Sequence, residues 1–401
     1  MSKRAMTDVR PRKEGSARLG RSDRSALGRW FWEIDRVLLL LVAVLISIGL
    51  IAVAAASPAA ATRYSDGSVS YDALHFFYRQ LMWIMLAVPV MIAVSMLPRA
   101  PARRLSLLGA ILFTGLLFLV EVFGVEVNGA RRWLGVGISQ FQPSEFLKPL
   151  FIVTIAWILS LRQKDEALPV IPLTAVLTGV IALLLMRQPN FGETIIFVSA
   201  WVMLLMLSGV SMRLLGILAG AGAGAIVLAY FFYPVATQRI DAFLFAQGDT
   251  FQTDSALSTL TAGGLFGAGP GAGMRKFNLP EPHTDYIFSV IGEEFGIIAC
   301  LAIALLYMTI VARVLIRLLN EDDGFVVLAG AGLVAQFGLQ ALINMAVNVQ
   351  IAPSKGMTLP FISYGGSSMI ALSIGTGLLL AFTRRNPYLH RSPYVSKGSG
   401  R

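Results

Sequence analysis

Ten long apolar runs, separated by short polar segments, constrain this chain more than any other feature. They lie near 37–58, 81–98, 105–123, 144–160, 169–186, 194–210, 214–233, 286–316, 325–348 and 363–383. A helix needs ~20 mostly apolar residues to cross ~30 Å of hydrocarbon. Inside that hydrocarbon every backbone N–H and C=O must be paired, and a helix pairs its own. The pattern predicts an all-α polytopic membrane protein of about ten transmembrane helices. Composition agrees: of 401 residues, 56% are hydrophobic and only 14% charged, whereas soluble domains carry roughly a quarter charged. The single cysteine, Cys300, sits in an apolar run and can form no disulfide within the chain.

The net charge of +10 follows the alternation of the runs. Of the 33 Lys and Arg, 23 fall in the termini and alternate connections on one side, and 10 on the other. Cytoplasmic loops carry the excess of Lys and Arg, so both termini are expected in the cytoplasm. The basic head (1–36) reads as a disordered topology determinant near anionic lipid, with 37–383 as the membrane domain and 384–401 as a second cytoplasmic tail. No signal-peptide pattern precedes the first run, which is expected to stay as an anchor. The positive charge therefore does not imply nucleic acid, and no P-loop or dinucleotide fingerprint is present. The long segment 234–285 falls outside, as do 124–143 and 349–362.

Four polar constellations mark that outer side. Leu279-Pro280-Glu281-Pro282-His283-Thr284-Asp285-Tyr286 closes the long loop, and Glu293 and Glu294 follow in the next span. Thr284 or Asp285 suits a helix N-cap, but the adjacent His283 and the carboxylates entering the membrane favour a functional Asp285. In Gln142-Pro143-Ser144-Glu145-Phe146-Leu147-Lys148, proline fits a first helical turn, and Glu145 and Lys148 share a face. Just before them, in Asn128-Gly129-Ala130-Arg131-Arg132-Trp133, two adjacent arginines suit an interfacial anchor or a pyrophosphate. Pro353-Ser354-Lys355-Gly356-Met357-Thr358-Leu359-Pro360 carries one cation, Lys355, ahead of Ser363-Tyr364-Gly365-Gly366-Ser367-Ser368, whose small residues permit close helix approach. Gln188-Pro189-Asn190-Phe191-Gly192-Glu193 reads first as a turn. The glycine-rich stretch 263–273 reads as a mobile outer loop, and 251–262 as a short amphipathic surface helix. The three histidines are far apart, and no metal-ligand spacing exists.

Together and in this order, these motifs resemble those of the SEDS family (shape, elongation, division and sporulation proteins) over roughly residues 30 to 385. The resemblance implies a ten-helix bundle with its large extracytoplasmic loop between spans 7 and 8. It implies peptidoglycan glycosyltransfer using lipid II at the outer face of the bacterial inner membrane, with a polyprenyl-pyrophosphate-linked glycan as donor. It implies an essential aspartate at Asp285, a polar pair at Glu145 and Lys148, and a lysine at Lys355. It also implies a class B penicillin-binding transpeptidase as partner, with other divisome proteins. The chain departs from the family at Asn190, where an aspartate is usual; either charge there is dispensable, or Glu193 compensates, or a metal contact is lost. The head and the Ser-Lys-Gly-Met-Thr-Leu-Pro stretch resemble the division branch, at the septum, more than the elongation branch.

Chemically, an attacking sugar hydroxyl needs a base within hydrogen-bond reach, and Asp285 is the expected one. Glu281, His283 and Asn190 are expected to contact substrate, and Arg131, Arg132, Lys148 and Lys355 to hold the leaving pyrophosphate. A divalent cation, Mg or Mn, is a further expectation without a visible ligand set. The competing class is a lipid II flippase, which should line a polar path through both leaflets. Here the polar groups crowd the outer face and the spans are apolar near the cytoplasm, which favours chemistry over transport. A scaffold without chemistry needs no buried acids.

Overall fold

The computed structural model describes residues 26–65, 70–127, 130–135, 140–163, 165–245, 250–354 and 356–384. Among these, the helices in chain order are α1 (Ala26–Glu33), α2 (Arg36–Tyr64), α3 (His75–Ser95), α4 (Arg99–Phe123), α5 (Pro143–Ser160), α6 (Val170–Arg187), α7 (Phe191–Leu207), α8 (Met212–Phe232), α9 (Pro234–Phe245), α10 (Phe251–Ala262), α11 (Ile287–Leu318), α12 (Gly324–Asn348) and α13 (Gly366–Phe382). Eight are long and apolar enough to cross a membrane, and α7 and α13 are shorter apolar helices. Each expected run has its helix. The α2 and α3 helices extend well beyond the apolar stretches, to Tyr64 and back to His75, because helical hydrogen bonding does not stop where hydrophobicity does. Segment 35–383 forms one compact unit. The head, expected to lack structure through residue 36, carries α1; its Trp-Phe-Trp cluster gives this short segment an apolar face.

The centre of the bundle is α5, α12 and α13, whose side chains are largely buried. Small residues set the closest approaches. A Cβ on Gly366 would lie 2.3 Å from the Trp83 ring, so α13 and α3 meet only because Gly366 is bare. Gly49 of α2 plays the same part against the Phe361 carbonyl, 2.4 Å from where its Cβ would be. Cys300 is buried, as its apolar run implied.

Both ends of the bundle hold buried charge. Asp35 is 2% exposed and caps α2 by accepting from the Val37 and Leu38 N–H groups. It also pairs with Arg313 at 2.7 Å and Arg317 at 2.9 Å. The expectation that this end is apolar does not hold, because an N-cap acid and two arginines near the C-terminal end of α11, Arg313 and Arg317, converge there.

At the other end, 124–143 contributes a small antiparallel hairpin of β1 (Val125–Val127) and β2 (Ala130–Trp133). The long loop 234–285 is built from α9, α10 and a 3₁₀ turn at Arg275–Asn278. The α10 helix appears where the sequence placed it and buries Ala256, Thr259 and Leu260.

The glycine-rich stretch is a strap, not a mobile loop. The α11 helix breaks at Gly296, whose φ is 81°, a conformation that glycine adopts at little cost. The break frees backbone groups, and the strap pairs them. Ala268 N–H donates to the Glu293 carbonyl at 2.8 Å, Gly269 N–H to the Glu294 carbonyl at 3.1 Å, and Ile297 N–H to the Gly264 carbonyl at 3.0 Å. The two carboxylates follow. Glu293 accepts from Arg275 N–H at 2.6 Å and Lys276 N–H at 2.9 Å, and Glu294 pairs with the buried Lys276. These acids pin the segment leading into Asp285 rather than face an open cavity. Gly267 has φ 84° and a Cβ there would stand 2.2 Å from the Glu294 carbonyl. Gly267→Ala is therefore expected to destabilise by at least the ~1–3 kcal/mol of a strained backbone residue, read as a lower unfolding temperature of the purified protein in detergent.

Candidate functional site

Asp285 sits in the turn entering α11, and that turn is fixed from several sides. Its backbone carbonyl accepts from Asn344 Nδ2 at 2.8 Å and Asn348 Nδ2 at 3.1 Å. The Thr284 carbonyl accepts from Ser363 Oγ at 2.6 Å, and the His283 carbonyl from Tyr364 N–H at 2.8 Å. Glu281, at φ 50°, accepts from Thr284 Oγ1 at 2.8 Å and from the Tyr64 hydroxyl. Neither Thr284 nor Asp285 caps α11, because Tyr286 occupies the N-cap without a side-chain cap bond. Among the described residues, no donor bonds the half-buried Asp285 carboxylate. A held backbone with an uncommitted carboxylate is the geometry a general base needs.

Electrostatics tune that carboxylate. Burial pushes Asp285 up to about 7, Glu281 adds to the rise, and the guanidiniums of Arg239 and Arg132 oppose it. A carboxyl near neutrality exchanges protons readily at physiological pH. His283 differs. It is 3% exposed, packed between Phe76 and Tyr364 at ring-centroid distances of 4.3 and 5.1 Å, and burial pulls it down to about 4. It is a neutral wedge behind the Asp285 turn, and its Nδ1 lacks a partner among the described residues.

The cations around the site divide sharply. Arg132, on β2, donates from Nε to the Gln188 carbonyl at 3.1 Å and from its guanidinium to the Pro189 carbonyl. This locks β2 against the α6–α7 turn. Arg239, on α9, was not singled out from the sequence. Burial lowers both arginines, and both act electrostatically on Asp285. Arg131 is exposed and faces Glu126 at 3.4 Å, a contact of small energetic value. Lys355, Asn128 and Gly129 lie outside the described residues.

Deeper in the bundle, Glu145 and Lys148 pair at 2.7 Å, as their spacing implied, and Lys148 also lies 3.6 Å from Glu193. Glu193 accepts from Gln142 Nε2 at 3.2 Å and from Asn190 Nδ2 at 2.9 Å. Asn190 thus spends its amide on Glu193. Gln336, Gln340, Asn344 and Asn348 form a polar stripe on α12, at four-residue spacing, that reaches from this network to the Asp285 turn. Gln340 Nε2 donates to the Thr358 carbonyl at 3.1 Å and Asn344 Nδ2 to the Met357 carbonyl at 2.6 Å. Among the described residues no three His, Cys, Asp or Glu side chains are grouped to hold a metal ion.

A polytopic helical bundle with an uncommitted acid and arginines beneath a structured loop defines the class, and comparison with known proteins gives the family. The family of FtsW, RodA and SpoVE, described as cell cycle proteins, matches residues 35–388. The chain belongs to this family, the SEDS proteins. "Probable peptidoglycan glycosyltransferase FtsW" of Caulobacter vibrioides is 38% identical over 371 residues, covering 92% of this chain and 93% of that one. The protein of the same name from Coxiella burnetii is 32% identical, covering 88% and 98%. Among solved structures, one chain of a peptidoglycan synthase complex that coordinates polymerisation and crosslinking is similar at TM-score 0.70 and 27% identity, covering 87% of this chain and 97% of that one. The rod shape determining protein RodA of Thermus thermophilus follows at TM-score 0.63 and 26% identity, covering 87% and 96%.

Proposed function

We propose that this protein is a peptidoglycan glycosyltransferase of the FtsW type, polymerising lipid II at the outer face of the bacterial inner membrane during division. The observation that carries the mechanism is the uncommitted Asp285 carboxylate, raised to about 7 by burial and lying within the electrostatic reach of Arg239 and Arg132. In the reaction, Asp285 takes the proton of the acceptor sugar hydroxyl. That oxygen bonds to the anomeric carbon of the donor glycan. The bond from this carbon to the polyprenyl pyrophosphate breaks, and the pyrophosphate leaves with the electron pair. Arg132 and Arg239 are placed to stabilise that leaving charge. Glu281 and His283 hold the turn, and the Glu145–Lys148–Glu193 network with Asn190 braces the helices below it. Lys355 is a further cation for the same anion.

The homology to a synthase-complex chain supports a class B penicillin-binding transpeptidase as partner, and the division-type relatives support the septum and other divisome proteins as the setting. The charge asymmetry supports cytoplasmic termini.

The test is polymerisation of labelled lipid II by purified protein, alone and with its transpeptidase. Glycan strands are expected in at least the second condition; none in either would favour transport. Arg239→Ala and Arg132→Ala are each expected to lower kcat/KM about 10–100-fold, the equivalent of one charge-assisted hydrogen bond of ~1.5–3 kcal/mol. Initial rates of polymerisation measure this.

A further inference from the structure

Where the end of α2 meets α10 and the 3₁₀ turn, a cleft of about 510 Å³ opens at the surface. It shares no lining residue with the small cavity at Asp285. Arg63 comes from α2, Phe251 and Ser255 from α10, and Arg275, Phe277 and Asn278 from the turn. The cleft gathers two cations, yet no acid is among its described lining residues. Among the described residues neither guanidinium is paired, and Ser255 Oγ and the Asn278 amide are uncommitted as well. The frame around these free side chains is held. Arg275 N–H donates to Glu293 at 2.6 Å, and Nζ of the neighbouring Lys276 donates to the Ala55 carbonyl of α2 at 2.9 Å. Ala256, Thr259 and Leu260 bury the inner face of α10. The depth of the cleft follows from α2. That helix has 29 residues, which at ~1.5 Å each run to about 43 Å. Hydrocarbon and headgroup layers together are ~40–45 Å thick, so Arg63, one residue before the end of α2, stands at headgroup level. Phe251 and Phe277 beside it are 56% and 38% exposed, as aromatic rings are at the membrane–water boundary.

We propose that this cleft binds the headgroup phosphate of an anionic phospholipid from the outer leaflet, a lipid that is not the substrate. Two unopposed guanidiniums repel each other, and a phosphate between them relieves both while accepting paired N–H bonds. Ser255 and Asn278 add neutral donors. The rings of Phe251 and Phe277 offer apolar surface to the glycerol and the first acyl carbons. A soluble anion carries the same charge but leaves those rings bare, and nothing holds it at this depth. The phosphates of the reaction are served by Arg132 and Arg239, neither of which lines the cleft. A bound headgroup clamps α2, α10 and the 3₁₀ turn to one another, so it should raise stability. The inference does not depend on the polymerase reading.

Purified protein in neutral detergent is titrated with phosphatidylglycerol or phosphatidylcholine. Bound lipid is counted by native mass spectrometry, and thermal unfolding is followed in parallel. The wild type is expected to hold phosphatidylglycerol about 10-fold more tightly than phosphatidylcholine, the worth of one charge-assisted hydrogen bond, and to unfold at a higher temperature with it. Arg63→Gln and Arg275→Gln change exposed side chains, and each is expected to lose that preference. Arg187→Gln, which removes an exposed outer cation elsewhere, is expected to keep it. Should either glutamine variant fold poorly, Arg63→Lys and Arg275→Lys keep the charge, lose the planar fork and are expected to weaken retention. Equal retention of the two lipids by the wild type, or an unchanged preference in the double glutamine variant, overturns the proposal. Inorganic phosphate that stabilises the lipid-free wild type as strongly as phosphatidylglycerol, through the same arginines, makes the cleft a site for soluble anions and overturns the lipid assignment. Variants that retain lipid like the wild type but no longer capture the partner transpeptidase make the cleft a protein interface, and the proposal fails.

Discussion

Asp285→Asn is expected to lower lipid II polymerisation by about 10²–10⁴-fold, the usual contribution of a positioned general base, while the protein still accumulates and folds. The substitution keeps shape and removes the proton acceptor. Its effect on stability follows from linkage. The ordinary aspartate value is 3.8 and burial lifts Asp285 to about 7. The fold therefore disfavours the ionised form, and the stability gained by keeping the group neutral is lost as pH rises from about 4 through about 7. At neutral pH, asparagine avoids the desolvation that the ionised carboxylate suffers, so the variant should unfold at no lower a temperature than the wild type. The same residue sets the pH profile. The basic form grows as pH rises through its folded value, so kcat/KM should climb between pH 6 and 8 along a limb centred near 7. His283 is held at about 4 by burial and contributes nothing to that limb. A profile flat across this range would assign the base elsewhere.

The second large effect concerns Lys148. It stands between Glu145 at 2.7 Å and Glu193 at 3.6 Å in a buried part of the bundle. Lys148→Met keeps most of the apolar stem and deletes the charge, leaving two acids facing each other. Removing one partner of a buried ion pair costs ~3–5 kcal/mol, because the remaining charge loses its compensation. The variant should accumulate poorly or unfold far below the wild type in detergent. Adding Glu193→Gln to it should recover part of the loss, since one of the two uncompensated acids is gone. Thermal unfolding of the single and double variants measures this. Equal stability of Lys148→Met and wild type would show that the network is not structural.

Much of this architecture was legible because hydrocarbon leaves so few choices. An apolar run of about twenty residues can only be a helix there, and all ten runs are helices. The Glu145–Lys148 pair was legible for a similar reason, since i,i+3 residues must share a face. Arg239 was not legible, because it sits in a segment with no apolar period and reaches Asp285 only through the packing of the loop. The strap at 263–273 was misread because glycine-rich composition signals freedom when nothing is known of a partner. Its partner is the broken turn of α11 at Gly296, far along the chain. The amide stripe on α12 could have been found. Gln336, Gln340, Asn344 and Asn348 recur every fourth residue in an apolar run, a spacing that places them on one helix face. Polar side chains there are expensive in a membrane unless they hold something, and two of them hold the backbone of Asp285.

The central claim is that one carboxylate at the loop end of the bundle, with no donor bonded to it among the described residues, removes the proton from the attacking sugar. Single-turnover polymerisation of fluorescent lipid II by wild type and Asp285→Asn, across pH 5.5 to 8.5 and with the partner transpeptidase present, tests it most directly. The wild type should show a rate limb near pH 7, and the variant should show neither the limb nor more than about a hundredth of the rate. Asparagine at that position with a wild-type rate and profile would contradict it.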